Sequence, residues 1–396
     1  MRPRVYIVTE SESRYSLLGA MGKQFGLAMA RWGGGTLEVN PDAGGPASWS
    51  KDGRPAYVFF NHLSSVEETY GWTGGPERDR AVVQWCVDHP LTIDPAWLDR
   101  MSEDPGYRLL TVTSDDAHLL AMRFPKIKHA TVWHGVDESA VCDGASIAES
   151  HERGRDVDVL LAGSIASAEE LARYRAQVPG VLHKVCDEIV ALRVQYPGMP
   201  FGQAMDVAMP SGVRANDHWL LMKTIFAYTT AAVGRARRVA AAQAMQGLNV
   251  TLLGTEAWEE FATGTLNYGG QVGYAELPGW LMRSKVCLAV SPPQFVMGFS
   301  ERVLLSMAAG CATVAEERVE IARQFGGSGA VQMYVPDRPE LARVLVGKLL
   351  RDASARVAMG AVGRELVARG HMWGHRVSTV LTAAGMLERE GARAAA

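Results

Sequence analysis

The sequence predicts an α/β protein of two domains, each built on a parallel sheet. Three observations carry that prediction. Uninterrupted apolar runs of strand length recur along the chain, among them Tyr57–Phe60 (YVFF) and Val286–Val290 (VCLAV), as in strands covered on both faces. Helical patterns alternate with these runs, the order expected of βαβ units. The length of 396 residues exceeds what one hydrophobic core ordinarily serves.

Composition narrows the class. A hydrophobic share of 47% with 21% charged residues is that of a globular enzyme-like chain. A net charge of -3 shows no basic footprint for nucleic acid. The five cysteines, Cys86, Cys142, Cys186, Cys287 and Cys311, are scattered without a Cys-x-x-Cys pair. That argues against a disulfide framework or zinc site and fits a reducing cytoplasm. The chain runs directly into a strand-like segment, with no signal-peptide pattern and no apolar run of membrane-spanning length. At most peripheral membrane contact is expected.

Taken in order, Arg4–Thr9 reads as a first buried strand and Leu17–Trp32 as an amphipathic helix closed by Gly33, Gly34 and Gly35. Thr36–Asn40 is the second strand. The loop between strand and helix lacks G-x-G-x-x-G, and no G-x-x-x-x-G-K-[ST] occurs anywhere. Residues 41–55 are a Gly/Pro/Ser-rich loop. Further strands are expected at Tyr57–Phe60, Ala81–Val87, Leu109–Thr113 and Ala130–Trp133, with a short helix over 117–122. Polar residues follow several of these strands, where ligand crevices of open α/β sheets lie. Residues 1–140 form the N-terminal domain in this reading, and the polar stretch Asp137–Arg155 is the linker.

The second domain opens on Val157–Leu161, followed by Gly163 and Ser164. Residues 167–245 are largely helical in pattern, and Arg235, Arg237 and Arg238 read as a solvated helix face. Strands are expected at Asn249–Leu253, which ends at Gly254, and at Cys311–Ala315 and Val331–Val335. Helices follow at about 337–352, 354–370 and 374–390.

The richest stretch is Gly270–Gly310, read as turn, short strand, helix, buried strand, loop and helix. The strand Val286–Val290 stops at Ser291-Pro292-Pro293. Gly298, Phe299 and Ser300 then lead into an apolar helix, with Ser300 as N-cap and Glu301 in the first turn. A small-residue loop at a helix N-terminus suits an anion, because unpaired backbone N–H groups point outward there. Arg302 adds a fixed positive charge suited to phosphate.

The region 248–380 resembles the CgeB-like branch of glycosyltransferases, related to the group 1 glycosyl transferases. The resemblance rests on Val250–Leu253 with Gly254, on Gly273-Tyr274-Ala275-Glu276-Leu277-Pro278, and on Ser284–Leu288. It continues through Gly298-Phe299-Ser300-Glu301-Arg302, Met307–Gly310 and His371–Arg376. It implies the GT-B fold, two Rossmann-like domains with parallel sheets facing across a cleft. The acceptor side would be residues 1–140 and the donor side 155–370, with residues 371–396 returning across the cleft. The implied partner is a nucleotide-sugar, used as substrate rather than cofactor. The base would lie near Val272, Gly273 and Tyr274. The diphosphate would meet Gly298, Phe299, Ser300, Glu301 and Arg302, with Gly163, Ser164 and Gly254 at the neighbouring strand ends. The acceptor would be a glycan, a protein or a small molecule. Such enzymes usually need no metal, since helix dipole and basic side chains offset the leaving charge.

Retaining members carry two glutamates with seven residues between them around this helix, and here those positions are Met297 and Leu305. The departure points to direct displacement with inversion, which needs a general base. Asp88, beside His89 at a strand end, is the first candidate, because neighbouring charge can tune a carboxylate. His62, His134 and Glu10 are the others. Asp156-Val157-Asp158 has the form of a metal-binding D-x-D but begins a strand rather than ending one, so no metal site is assigned. A nucleotide-sugar epimerase and a non-catalytic sugar-nucleotide-binding subunit are the alternatives.

Overall fold

The computed structural model describes residues 4–8, 17–32, 35–39, 56–60, 80–115, 117–209 and 218–385. The chain divides into two compact units, Met1–Gly135 with Met372–Ala396, and Val136–His371. Each contains one six-stranded parallel sheet.

The first unit runs β1 (Arg4–Val8), α1 (Leu17–Trp32), β2 (Gly35–Val39), β3 (Ala56–Phe60) and β4 (Ala81–Cys86). It continues with α2 (Pro95–Ser102), β5 (Tyr107–Thr111), α3 (Ala117–Arg123) and β6 (Lys128–Thr131). The strand order is β2-β1-β3-β4-β5-β6. Strands β3 and β4 are buried at every position, which is why they read as runs that are apolar but for one residue. The one polar residue in β4, Gln84, is satisfied in place: its Oε1 accepts from Trp97 Nε1 at 2.8 Å and from the Tyr107 hydroxyl.

The second unit begins with β7 (Val157–Ala162), followed by four helices: α4 (Ala168–Ala176), α5 (His183–Gln195), α6 (Phe201–Ala208) and α7 (Trp219–Ala244). Then come β8 (Val250–Leu253), β9 (Leu266–Tyr268), α8 (Leu277–Arg283), β10 (Ser284–Ala289), α9 (Glu301–Ala308) and β11 (Ala312–Glu316). The unit closes with α10 (Val319–Phe325), β12 (Val331–Tyr334), α11 (Pro339–Arg351) and α12 (Ala353–Gly370). Its order, β12-β11-β10-β7-β8-β9, is that of a doubly wound sheet whose direction of progression reverses between β7 and β10. The core sits where Val159, Leu161, Val286, Leu288 and Val314 of the sheet meet Met245, Val346 and Leu349.

Two local readings differ from the sequence expectation. The start of Gly270–Gly310 holds a turn, closed by Glu276 N–H on the Gly273 carbonyl at 3.1 Å, and no strand is assigned there. The strand lies earlier, at Leu266–Tyr268, where three residues were too few to show a period. The polar stretch Asp137–Arg155, expected as the linker, is folded into short helical turns of the second unit. It is held by Arg155, whose guanidinium donates to the carbonyls of Leu281, Ser284, Ala309 and Gly310 at 2.6–3.1 Å.

The last helix, α13 (Trp373–Ala383), packs on α1 in the first unit. Trp373 stands edge-on to Phe25, Phe60 and Trp85, with centroids 5.7–6.4 Å apart, and its Nε1 donates to Gln24 Oε1 at 2.9 Å. A Cβ at Gly135 would stand 2.6 Å from the Trp373 ring, so only glycine fits beneath it.

Candidate functional site

The reversal point between β7 and β10 is where the site is built, because loops on its two sides part there and leave their backbone groups facing outward. Beyond β7 comes Gly163. A Cβ at that position would stand 2.6 Å from Arg302 Nη1 and 3.0 Å from Arg238 Nε, so two guanidiniums flank this glycine. Arg302 comes from the first turn of α9. Its Nη1 donates to the Ala162 carbonyl at 2.8 Å and its Nε to Ser300 Oγ at 3.2 Å. Arg238 comes from α7, and its Nη1 donates to the Ser164 carbonyl. Burial, then the neighbouring Arg302, hold the pKa of Arg238 below the usual arginine value. Glu301 Oε1 lies 3.7 Å from Arg302 Nε. The result is a pair of like charges in a recess beside a helix N-terminus, an arrangement an anion relieves.

The β8 loop forms the adjoining wall. Gly163 N–H donates to Leu253 O at 2.8 Å, and a Cβ at Gly254 would meet Gly163 O at 2.7 Å. Trp258 Nε1 donates to that same Gly163 carbonyl at 2.7 Å, and the Tyr268 hydroxyl donates to Gly254 O at 3.2 Å. Val272 and Gly273 are half-buried, and Gly273 N–H donates to Glu276 Oε2 at 3.0 Å. Tyr274 is buried, yet among the described residues its hydroxyl has no hydrogen-bond partner. Burial, then the charges of Glu301 and Asp137, push its pKa up.

The loop after β10 supplies the third wall. Gly298, Phe299 and Ser300 are buried, and the Phe299 ring stands edge-on to Phe325 at 5.8 Å. Ser300 takes the N-cap position with extended backbone, but its side chain makes no cap bond and instead accepts from Arg302. Helix α9 ends on Gly310 at φ +62°, with Gly310 N–H on Met307 O and Cys311 N–H on Ser306 O, the pairing of a left-handed glycine cap. A Cβ on Gly360 would meet Gly310 O at 2.2 Å, so α12 backs directly onto this cap.

The structure thus brings Gly163, Ser164, Gly254, Ser300 and Arg302 to adjoining strand ends of one sheet. Leu305 faces the core and Met297 lies in the loop, its carbonyl accepting from Glu320 N–H at 3.0 Å. The arginines of α7 correct the sequence reading. They are not a solvated face: Arg235 donates to Ala166 O at 2.7 Å, Arg237 pairs with buried Glu316, and Arg238 grips Ser164 O. The signal in the sequence is the run of arginines itself, at positions 235, 237 and 238.

Of the candidate bases, Asp88 is exposed two residues beyond the end of β4. His89 is buried, and its Nδ1 accepts from Leu91 N–H at 3.1 Å, which makes it a loop cap. His134 is buried, and its carbonyl accepts from Arg376 Nε at 3.0 Å. Glu10 and His62 lie outside the described residues. Asp156 and Asp158 pair with Arg283 and Lys285 on the partly exposed edge of the second unit. No group of three or more His, Cys, Asp or Glu side chains is placed to hold a metal among the described residues. None of the helices among them is long and apolar enough to cross a membrane.

Residues 235–382 match the family model described as "Glycosyl transferase-like". No curated protein is matched by the sequence. Among solved structures, the chain resembles sucrose-phosphate synthase from Thermosynechococcus elongatus at 13% identity and a TM-score of 0.53, with all of both chains covered. It resembles the DNA-modifying enzyme β-glucosyltransferase at 10% identity and 0.52, covering 96% of this chain and 99% of that one. A third likeness, to HepE from Anabaena in complex with UDP-glucose, has 9% identity and 0.52 over 97% and 100% of the two chains. The fold is that of the GT-B glycosyltransferases, and the match to the region carrying α9 and its arginine makes the chain an enzyme of the transferase class. Over residues 235–382 the chain resembles the glycosyl transferases.

Proposed function

We propose that the protein transfers a sugar from a nucleotide-sugar to the hydroxyl of a glycan, protein or small-molecule acceptor. The observation that carries this reading is the Arg238 and Arg302 pair around Gly163, at the reversal point of the second sheet. A diphosphate there would accept from both guanidiniums and from N–H groups at the start of α9. The bond between the anomeric carbon and the phosphate oxygen breaks, and negative charge gathers on the diphosphate where these donors stand. The guanidiniums offset that charge, so we read the step as metal-independent. With Met297 and Leu305 at the positions of the paired glutamates, we read it as inverting. The acceptor oxygen attacks and its proton passes to a base, for which we assign Asp88.

The test is a panel of nucleoside diphosphates in calorimetry, followed by turnover of the matching nucleotide-sugars. Saturable binding of at least one diphosphate and slow release of free sugar are expected. Asp88→Asn should bind donor as the parent does and lose transfer by about 10²–10⁴-fold, the usual contribution of a general base. A parent protein that binds no nucleoside diphosphate refutes the donor reading, and an unimpaired Asp88→Asn moves the base elsewhere. UDP belongs first in the panel, because HepE from Anabaena was solved with UDP-glucose.

A further inference from the structure

The donor loop, residues 290–300, is held from behind by a buried set of charges that no step of the proposed transfer uses. Glu316, the last residue of β11, is 1% exposed. Its Oε2 accepts from Ser291 N–H at 2.9 Å, the first loop residue beyond Val290. The same oxygen accepts from Arg318 Nη2 at 2.8 Å, and Oε1 accepts from Arg237 Nη2. Burial alone would raise the pKa of Glu316, but Arg237 and Arg318 outweigh it and the net direction is down, so the carboxylate is charged. Both arginines are themselves buried. Arg318 reaches on to the Pro197 carbonyl at 3.0 Å, beyond the end of α5. From α5, Arg193 donates to the Pro293 carbonyl at 2.7 Å.

The set therefore ties three things together: the β11 end, the helical insert α4–α7, and the backbone of the loop at Ser291 and Pro293. Helix α7 carries both ends of the link. Arg237 holds Glu316 behind the loop, and the next residue, Arg238, stands in front of Gly163. A buried carboxylate between two arginines is weak evidence for stability alone, since well-packed apolar residues would serve as well. What it supplies here is direction, because its oxygens point at one backbone N–H and leave the loop one position.

We propose that Glu316 is a positioning residue for the donor. Through Ser291 it fixes the path of the loop into the α9 N-terminus, and through Arg237 it fixes α7 and so Arg238. The helical insert is then the brace that sets the two arginines against each other. This rests on the reading of the recess as the diphosphate site.

The experiment uses the full chain, with UDP, GDP, ADP and dTDP as calorimetric probes and backbone hydrogen exchange in the absence of ligand. Glu316→Gln keeps the shape and removes the charge. Faster exchange confined to peptides spanning 290–300 is expected, with affinity for the bound probe weaker by about tenfold or more, as small misplacements of binding groups allow. Because Glu316→Gln leaves two buried arginines uncompensated, Arg193→Met is the second variant. It releases Pro293 while leaving Glu316 paired with Arg237 and Arg318, and the same two changes are expected. Arg356→Met is the comparison: Arg356 grips the Leu349 and Leu350 carbonyls, and its loss should lower stability without changing probe affinity. The proposal is overturned if the loop exchanges as in the parent, if it loosens while affinity stays within about threefold, or if Arg356→Met weakens binding equally. If the parent binds none of the four probes, the diphosphate site is what fails. The positioning role then falls with it, whatever the exchange shows.

Discussion

Replacing Arg238 by methionine should separate binding from stability. Both Arg302 Nη1 and Arg238 Nε lie within 3.0 Å of one point, the place a Cβ on Gly163 would occupy. At most about 6 Å therefore separates these two nitrogens, and at an effective dielectric near 20 two unit charges at that distance repel by about 3 kcal/mol, an amount that Glu301 beside Arg302 partly offsets. Arg238 also makes one hydrogen bond, to the Ser164 carbonyl, and a bond from a charged group contributes about 1.5–3 kcal/mol. The two nearly cancel, and methionine retains most of the apolar stem against the helix. Unliganded Arg238→Met should thus melt within about 4 °C of the parent, given about 2–4 °C per kcal/mol for a domain of this size. Affinity for a nucleoside diphosphate should fall by about 10–150-fold, the same 1.5–3 kcal/mol read as a binding constant. Thermal melting and calorimetry on the same preparation decide it. A variant that melts far below the parent and binds diphosphate as tightly would show that Arg238 is a brace and not a ligand, and the charge argument would fall.

Other substitutions probe neighbouring groups. Tyr274→Phe removes a buried hydroxyl that has no partner among the described residues, so unliganded stability should hold or rise slightly while diphosphate-nucleoside affinity drops up to about tenfold; unchanged affinity would take the hydroxyl out of the site. His151 Nε2 donates to the Gly310 carbonyl at 2.8 Å, and burial with Arg155 pulls its pKa down to about 4. Since the unfolded chain takes up this proton near pH 6.5 and the folded chain does not, the associated stability is present above pH 6.5 and is lost as pH falls toward 4. About 3 kcal/mol is at stake. A pH series of melts should show that loss in the parent and a shallower one in His151→Gln; parallel curves would mean the loss belongs to other groups.

The architecture was legible because parallel strands covered on both faces carry almost nothing but apolar residues. Val286–Val290 could be placed to within two residues on that ground, and Leu17–Trp32 agrees with α1 at both ends. Leu266–Tyr268 was not legible, since three residues with an exposed asparagine hold no periodic signal. Nor was the folded state of Asp137–Arg155. Its turns depend on Arg155 meeting four carbonyls from residues 281–310, contacts more than a hundred positions away in the chain.

The site divides in the same manner. Arg302 could be read locally, because it sits in the first turn of a helix behind a small-residue loop, and the helix N-terminus is a property of a few consecutive residues. Arg238 could not. On α7 it shares a run with Arg235 and Arg237, and helical periodicity gives no way to tell three arginines apart when each ends on a different loop. Only the doubly wound order makes them differ. It sets β7 beside β10, and therefore Gly163 beside the α9 start, so that the arginine reaching Ser164 arrives next to Arg302 while the one before it turns to Glu316. A charge cluster on a helix is a solvated face when nothing lies across from it. Here the absence of a side chain at Gly163 and the presence of a carboxylate at Glu316 give two adjacent arginines two destinations, one beside Gly163 and Arg302 and one facing the core.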